Sequence, residues 1–227
     1  MQSHAERVLV ARLCLFMQSG DVSEYRLLNV GAGTNTILES IMASHGCRFV
    51  CDRLDVDDCN VVHPNVGKCV VIPAESMEGF ECSSYDGAFS NYVLEHVTSI
   101  ADTASQIARV LKPGGIYIAS IPNPTAPEFL IARFTPLGFH RLIRRVTGHK
   151  EVWETRYAYR SVGDLVRTFE RAGLECTSIE HFGSMKLYLN GIPILSQLST
   201  VYDCLLRWLR LRPLMGNVCV AFRKKTP

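Results

Sequence analysis

The sequence predicts an α/β domain built on a parallel sheet with helices on both faces. Three observations carry this reading. Short β-rich apolar runs alternate with longer stretches of helical periodicity, a glycine-bearing turn links the first such run to a helix in LLNVGAGTNT (residues 27–36), and no internal repeat or low-complexity linker divides the chain.

The elements follow in order. Glu6 to Met17 has the periodicity of an opening helix. RLLNVG then reads as a strand, Thr36 to His45 as a helix, CRFVCD as the second strand, KCVVI as the third and YDGAFSNYV as the fourth. Ala101 to Leu111 is a helix, and after the turn KPGG the run GIYIASI is the fifth strand. Past Ile121 the chain changes character: the proline-rich IPNPTAP reads as a loop at the carboxyl end of its strand, and a basic segment with RLIRR follows. Val162 to Ala172 is a helix that leads through Gly173 to a sixth strand, LECTSIEHF, and NVCVAF is the last strand. The connection between those two strands, about thirty residues, is too long for plain loop in a compact domain, and its periodicity around Tyr202 to Leu211 predicts an inserted helical element.

The 227 residues are 47% hydrophobic and 20% charged, ordinary values for a globular protein with a sizeable core. We read one domain over residues 1–227: an N-terminal helix in 1–25, a core in 26–121, and two variable segments, 122–160 and 183–215. No apolar run is long enough to span a membrane, and Arg7 and Arg12 interrupt the apolar N-terminal segment, which argues against a signal peptide and for the cytoplasm. Nine cysteines form an odd set without a CxxC pair, and the spacing of Cys47, Cys51, Cys59 and Cys69 fits no zinc pattern, so reduced structural thiols and no metal are expected. Residues 1–120 hold 8 Lys and Arg against 14 Asp and Glu, while residues 121–227 hold 16 against 8. An acidic partner would be drawn to the second half.

In an open α/β sheet a ligand sits at the carboxyl ends of the strands. The first such end is the glycine turn, where Gly31 permits a positive φ and Gly33 a close backbone approach. A dinucleotide site would need a third glycine where this chain has Thr36. Asp52, at the close of CRFVCD, has the acidic group that accepts both hydroxyls of a ribose. The adenosine feature is kept and the pyrophosphate feature is missing.

LLNVGAGTNT, Asp52, PAESM, YDGAFSNYVLEHV and IARVLKPGGIYIASIPNP, in that order and spacing, resemble the class I methyltransferases that use S-adenosylmethionine, in particular the group acting on small molecules. The resemblance covers residues 26–124 well and the later strand–helix–strand pattern more loosely. It implies a Rossmann-like, doubly wound, seven-stranded sheet with the last strand antiparallel and the helical element inserted before it. It also explains the missing glycine, because S-adenosylmethionine contains adenosine and no phosphate. By resemblance Gly31 and Gly33 line the methionine portion, Asp52 holds the ribose, Ala74 and Glu75 flank the adenine, and Asn91 lies beside the sulfonium. Asn29, Ala32, Arg53 and Tyr92 complete the expected set. The chain departs from the family at Asn29, where an acid is usual, at Asn35, where a third glycine is usual, and at Pro73, where an aspartate often takes the adenine amino group.

Methyl transfer requires alignment in a dry cleft and, for an oxygen or nitrogen acceptor, removal of a proton. His96, just past the fourth strand, is the candidate base, ahead of His140 and His181, and the competing reading is that it packs the following helix. The aromatic residues Phe129, Phe134, Phe139, Trp153, Tyr157 and Tyr159, interleaved with arginines, form a candidate lid, and the run IPILSQLSTVYDCLLRWLRLRP a helix that covers the cleft, joins two copies or rests on an anionic membrane. The expected partner is a small-molecule acceptor, acidic or lipid-like, most readily methylated on oxygen. Nucleic acid is not expected, since SNYVLEH lacks the polar, proline-flanked form seen in members that methylate DNA and RNA. A nicotinamide-dependent oxidoreductase and a non-catalytic binding module are the alternatives.

Overall fold

The computed structural model describes residues 3–127, 158–183 and 193–226. Seven strands form one sheet: β1 (Tyr25–Val30), β2 (Phe49–Asp55), β3 (Val66–Val71), β4 (Tyr85–Asn91), β5 (Leu111–Pro122), β6 (Leu174–Phe182) and β7 (Asn217–Lys224). Their order across the sheet is β3-β2-β1-β4-β5-β7-β6. β1 to β5 pair in parallel, and β7 runs antiparallel to both β5 and β6. The order reverses between β1 and β4, and it is at such a switch point that strand ends leave a crevice.

Among the described residues, four helices cover the sheet. α1 (His4–Ser19) and α2 (Ile37–Ser44) lie on one face, where Leu9, Leu13, Leu38 and Met42 pack on Leu27, Phe89 and Ile118. α3 (Ile100–Val110) and α4 (Val162–Arg171) cover the other, with Ile107, Leu165 and Phe169 against Tyr117 and Phe222. Phe169 stacks on Phe222 at 4.7 Å and on Tyr117 at 5.3 Å between ring centroids. α5 (Pro193–Trp208) and a short 3-10 turn (Arg212–Leu214) stand between β6 and β7, where the inserted element was expected. Serines start three helices: Ser3 in a reciprocal capping box with Glu6, and Ser99 and Ser161 as acceptors from Asp102 and Asp164 N–H.

The boundaries differ from expectation at one informative place. Helix α3 stops at Val110, and β5 already begins at Leu111, because Tyr85 pairs with Leu111 before the register shifts and Gly87 pairs with Ile116. KPGG is therefore a bulge inside the strand pair, and Gly114, at φ +77°, supplies the left-handed turn it needs. Tyr159, expected in the lid, is core instead: it is buried, and its hydroxyl donates to Pro122 O at 3.0 Å. The other five lid aromatics and His140 lie outside the described residues.

Candidate active site

The loops after β1 to β4 emerge at one end of the sheet, and specific contacts tie them into a ring. Gly31 and Gly33 both have positive φ, +70° and +58°. A Cβ at Gly31 would come within 2.3 Å of Val93 Cγ2, so only glycine fits where the first loop meets the segment after β4. A Cβ at Gly33 would meet nothing within 4 Å, so its backbone faces open space that a ligand can approach. Gly33 N–H donates to Asp55 Oδ2 at 2.7 Å, and Asp55 Oδ1 accepts from Asp57 N–H at 3.2 Å. A carboxylate has about four acceptor positions, which leaves two for a diol.

Asp52 does not stand where the sequence reading placed it. Strand β2 continues to Asp55, and Asp52 pairs with Leu28, two residues before the end of β1. Its carboxylate is buried and spent on the fold: Tyr85 Oη donates to it at 2.6 Å, Lys68 N–H at 3.0 Å and Arg26 Nη2 at 3.2 Å. Burial and then that bond to Asp52 push the Tyr85 hydroxyl well above its ordinary value. The acidic residue at the tip of β2 is Asp55, and Leu54, the last buried apolar residue of the strand, is the signal that would have moved the boundary.

Arg53 is likewise corrected from ligand to support. It is fully buried, and its Nη2 donates to three carbonyls of the glycine loop, Ala32 at 2.8 Å, Gly33 at 3.1 Å and Asn35 at 2.8 Å. Nη1 lies 3.2 Å from Glu39 Oε1, and Asn29 Nδ2 donates to the same oxygen at 2.8 Å. Glu39, on α2, was absent from the sequence reading. Its carboxylate answers Asn29 and Arg53 together, and its position among Leu38 and Met42 on a buried face is the clue. Asn35 departs from the family glycine to a local purpose: its Oδ1 accepts from Ile37 N–H at 3.3 Å at the start of α2.

The third loop opens with Pro73, whose carbonyl accepts from Ser76 and Met77 N–H. Ala74 is buried there. Glu75 Oε1 accepts from Thr98 N–H at 2.6 Å and Thr98 Oγ1 at 2.7 Å, which joins the third loop to the fourth. Burial pushes Glu75 up, but the hydrogen bonds from Thr98 outweigh it and hold the carboxyl below its usual range.

At the end of β4, Asn91 Nδ2 donates to Glu6 Oε1 of α1 at 2.8 Å, while Asn91 Oδ1 is buried without a hydrogen-bond partner. Tyr92 takes φ +55° and donates from its hydroxyl to Ser3 Oγ at 3.0 Å, so the first turn of α1 closes over this loop. Glu95 is buried, its Oε2 has no partner, and burial raises its carboxyl to about 8. His96 is half-buried, with Nε2 3.9 Å from Glu95 Oε1. The structure thus brings Gly31, Ala32, Gly33, Asn91, Tyr92 and His96 to one end of the sheet. His181 lies on β6, outside this ring of loops, with its ring held below the ordinary value by burial and by Arg212. Among the described residues no group of three or more His, Cys, Asp or Glu is arranged to hold a metal ion, and the nine cysteines are free thiols.

These features match known proteins. Residues 28–119 match the methyltransferase domain family. The chain is 29% identical over 181 residues to a protein of Mycolicibacterium smegmatis named "probable S-adenosylmethionine-dependent methyltransferase", a match that covers 73% of this chain and 66% of that one. It is 29% identical over 102 residues to a 24-methylenesterol C-methyltransferase 2 of Oryza sativa subsp. japonica, covering 42% of this chain and 28% of the relative. The chain therefore spans less than two thirds of the length of either. The solved structure of an S-adenosylmethionine-dependent methyltransferase of Mesorhizobium loti superimposes with a TM-score of 0.61 at 15% identity, over 98% of this chain and 99% of that one. Strand order, glycine loop and matched domain agree: residues 28–119 carry a methyltransferase domain, and the chain is similar to S-adenosylmethionine-dependent methyltransferases in sequence and in fold.

Proposed function

We propose that this domain methylates a small-molecule acceptor, with oxygen as the preferred nucleophile. The observation that carries the reading is the glycine loop, with its backbone open at Gly33 and its far side clamped by Asp55 and Arg53. When bound, S-adenosylmethionine supplies an electrophilic methyl group on a sulfonium sulfur. The backbone of Gly31, Ala32 and Gly33 binds its methionine portion, Asp55 takes the ribose hydroxyls in place of Asp52, and Ala74 offers an apolar wall to the adenine. Asn91 Oδ1, a buried acceptor without a partner, suits a positively charged neighbour. Ser3 and Glu6 hold α1 over the loop after β4 and exclude water there.

His96 is the proposed proton acceptor, with Glu95 beside it. An oxygen nucleophile fits this arrangement because it must lose a proton on attack. The sterol relative is named for carbon methylation, but its match covers 102 residues and carries no acceptor assignment. We further propose a cytoplasmic setting, supported by nine free thiols.

Calorimetric titration with S-adenosylmethionine, S-adenosylhomocysteine and NAD tests the cofactor, followed by a screen of phenolic, carboxylic and amine acceptors. Micromolar binding of the first two alone is expected. Binding of none would put the non-catalytic module in front, and binding of NAD would restore the oxidoreductase.

A further inference from the structure

Helix α5 is apolar on the side that faces away from the domain. Ser199, Asp203 and Leu206 are buried on one side of it. On the opposite side Val201 is 65% exposed, Leu205 47% and Trp208 79%, and Leu209 and Leu211 extend the patch past the helix end. Positions 201, 205 and 208 follow one helical stripe, so these side chains are neighbours and not scattered surface residues. Single exposed apolar residues are normal on a protein surface, but a contiguous apolar stripe with a tryptophan marks a contact.

Charge says which contact. Arg207, near the end of the helix, and Arg210 and Arg212, just past it, are exposed, and residues 204–227 contain no Asp or Glu. A two-fold contact with a second copy would bring two copies of this basic stretch to one interface, with no acid of residues 204–227 to answer them. An anionic phospholipid surface is complementary to both features: tryptophan and leucine settle at the headgroup boundary, and arginines meet the phosphates.

The position of the helix gives the contact a use. Asn123, just past the carboxyl end of β5, donates through Nδ2 to Pro213 O at 3.0 Å and Met215 O at 2.9 Å, and its N–H donates to Gly216 O. The segment after α5 is thereby fastened to the end of the sheet that carries the glycine loop.

We propose that α5 docks the domain on an anionic bilayer, with Val201, Leu205 and Trp208 in the headgroup boundary and Arg207, Arg210 and Arg212 on lipid phosphates. The inference concerns the surface alone and stands or falls apart from methyl transfer. Docked in this way, the loop end of the sheet lies near the membrane, a route for an acceptor drawn from the lipid phase.

The test is co-sedimentation of the full chain with phosphatidylcholine vesicles with and without phosphatidylserine, at low and high salt. Binding to the phosphatidylserine vesicles, weakened by salt, is expected. Replacing Arg207, Arg210 and Arg212 together by Gln should lower the partition coefficient about a hundredfold, each basic group near such a surface contributing roughly fivefold. Leu205→Glu and Trp208→Ala, both at exposed positions and so neutral for folding by thermal melt, should also abolish sedimentation. No binding to anionic vesicles, or binding indifferent to these changes, overturns the proposal. So does a dimer in light scattering that Leu205→Glu dissociates, which would give the stripe to a second copy.

Discussion

Gly33 N–H donates to Asp55 Oδ2 at 2.7 Å, and this bond fixes the glycine loop to the tip of β2. It separates two aspartates that lie three positions apart on the same strand. Asp55→Ala should weaken S-adenosylmethionine about a hundredfold, the loss of a charge-assisted pair of bonds to the ribose together with the loop anchor. Asp52→Ala should instead lower the melting temperature, because Tyr85, Lys68 and Arg26 lose their shared acceptor. Calorimetry on both variants decides, and the reverse pattern would return the ribose to Asp52.

Gly31 is constrained twice, by φ +70° and by Val93. Gly31→Ala brings a Cβ to 2.3 Å from Val93 Cγ2, in addition to a backbone strain of about 1 kcal/mol. The variant should lose both stability and cofactor binding. Adding Val93→Ala removes the two methyl carbons that clash and should recover part of the melting temperature. No recovery in the double variant would mean that φ alone matters there.

The sheet, its helices and the glycine loop were legible because each rests on local pattern: apolar runs of strand length, the GAGTNT turn, KPGG. What was not legible depends on side-chain direction. Asp52 and Asp55 are both acids near the end of one apolar run, and only the pairing of Leu54 with Val30 shows which of them stands at its tip. Arg53 is next to Asp52 in sequence yet reaches the carbonyls of residues 32 to 35 from beneath, a contact that no spacing encodes. Glu39 lies in a helical run, and its burial follows only from the packing of α2 on the sheet. Tyr159 shared the aromatic character of the segment before it, and its place in the core follows from a bond to Pro122 far along the chain.

Arg53 and Glu39 form a buried pair 3.2 Å apart behind the loop. Arg53→Met leaves Glu39 charged and uncompensated, a cost of about 3–5 kcal/mol, and should lower the midpoint in urea accordingly. In the double variant with Glu39→Leu the charge penalty disappears and much of the stability should return. Cofactor affinity should not return with it, because the carbonyls of Ala32, Gly33 and Asn35 still lack their donor. If binding recovers along with stability, the pair serves folding and not the loop.

His96→Ala should reduce the methylation rate about a hundredfold or more while leaving S-adenosylmethionine binding intact, the signature of a lost proton acceptor. A near-normal rate on an oxygen acceptor would make His96 a packing residue of the turn before α3.

Glu95 gives the fold a pH dependence of known sign. Burial raises its carboxyl to about 8 from an ordinary 4.5. Below about pH 4.5 the group is protonated in folded and unfolded chains alike, and its burial carries no ionisation cost. As the pH rises the unfolded chain releases the proton first, so stability falls, and the loss is complete once the pH passes about 8. Glu95→Gln is neutral at every pH and should remove this part of the slope, with a gain at alkaline pH of about 5 kcal/mol at most. Urea unfolding of both proteins from mildly acidic to alkaline pH measures it. Parallel curves would mean that Glu95 is ionised in the folded chain, with its charge answered by a group close to Oε2.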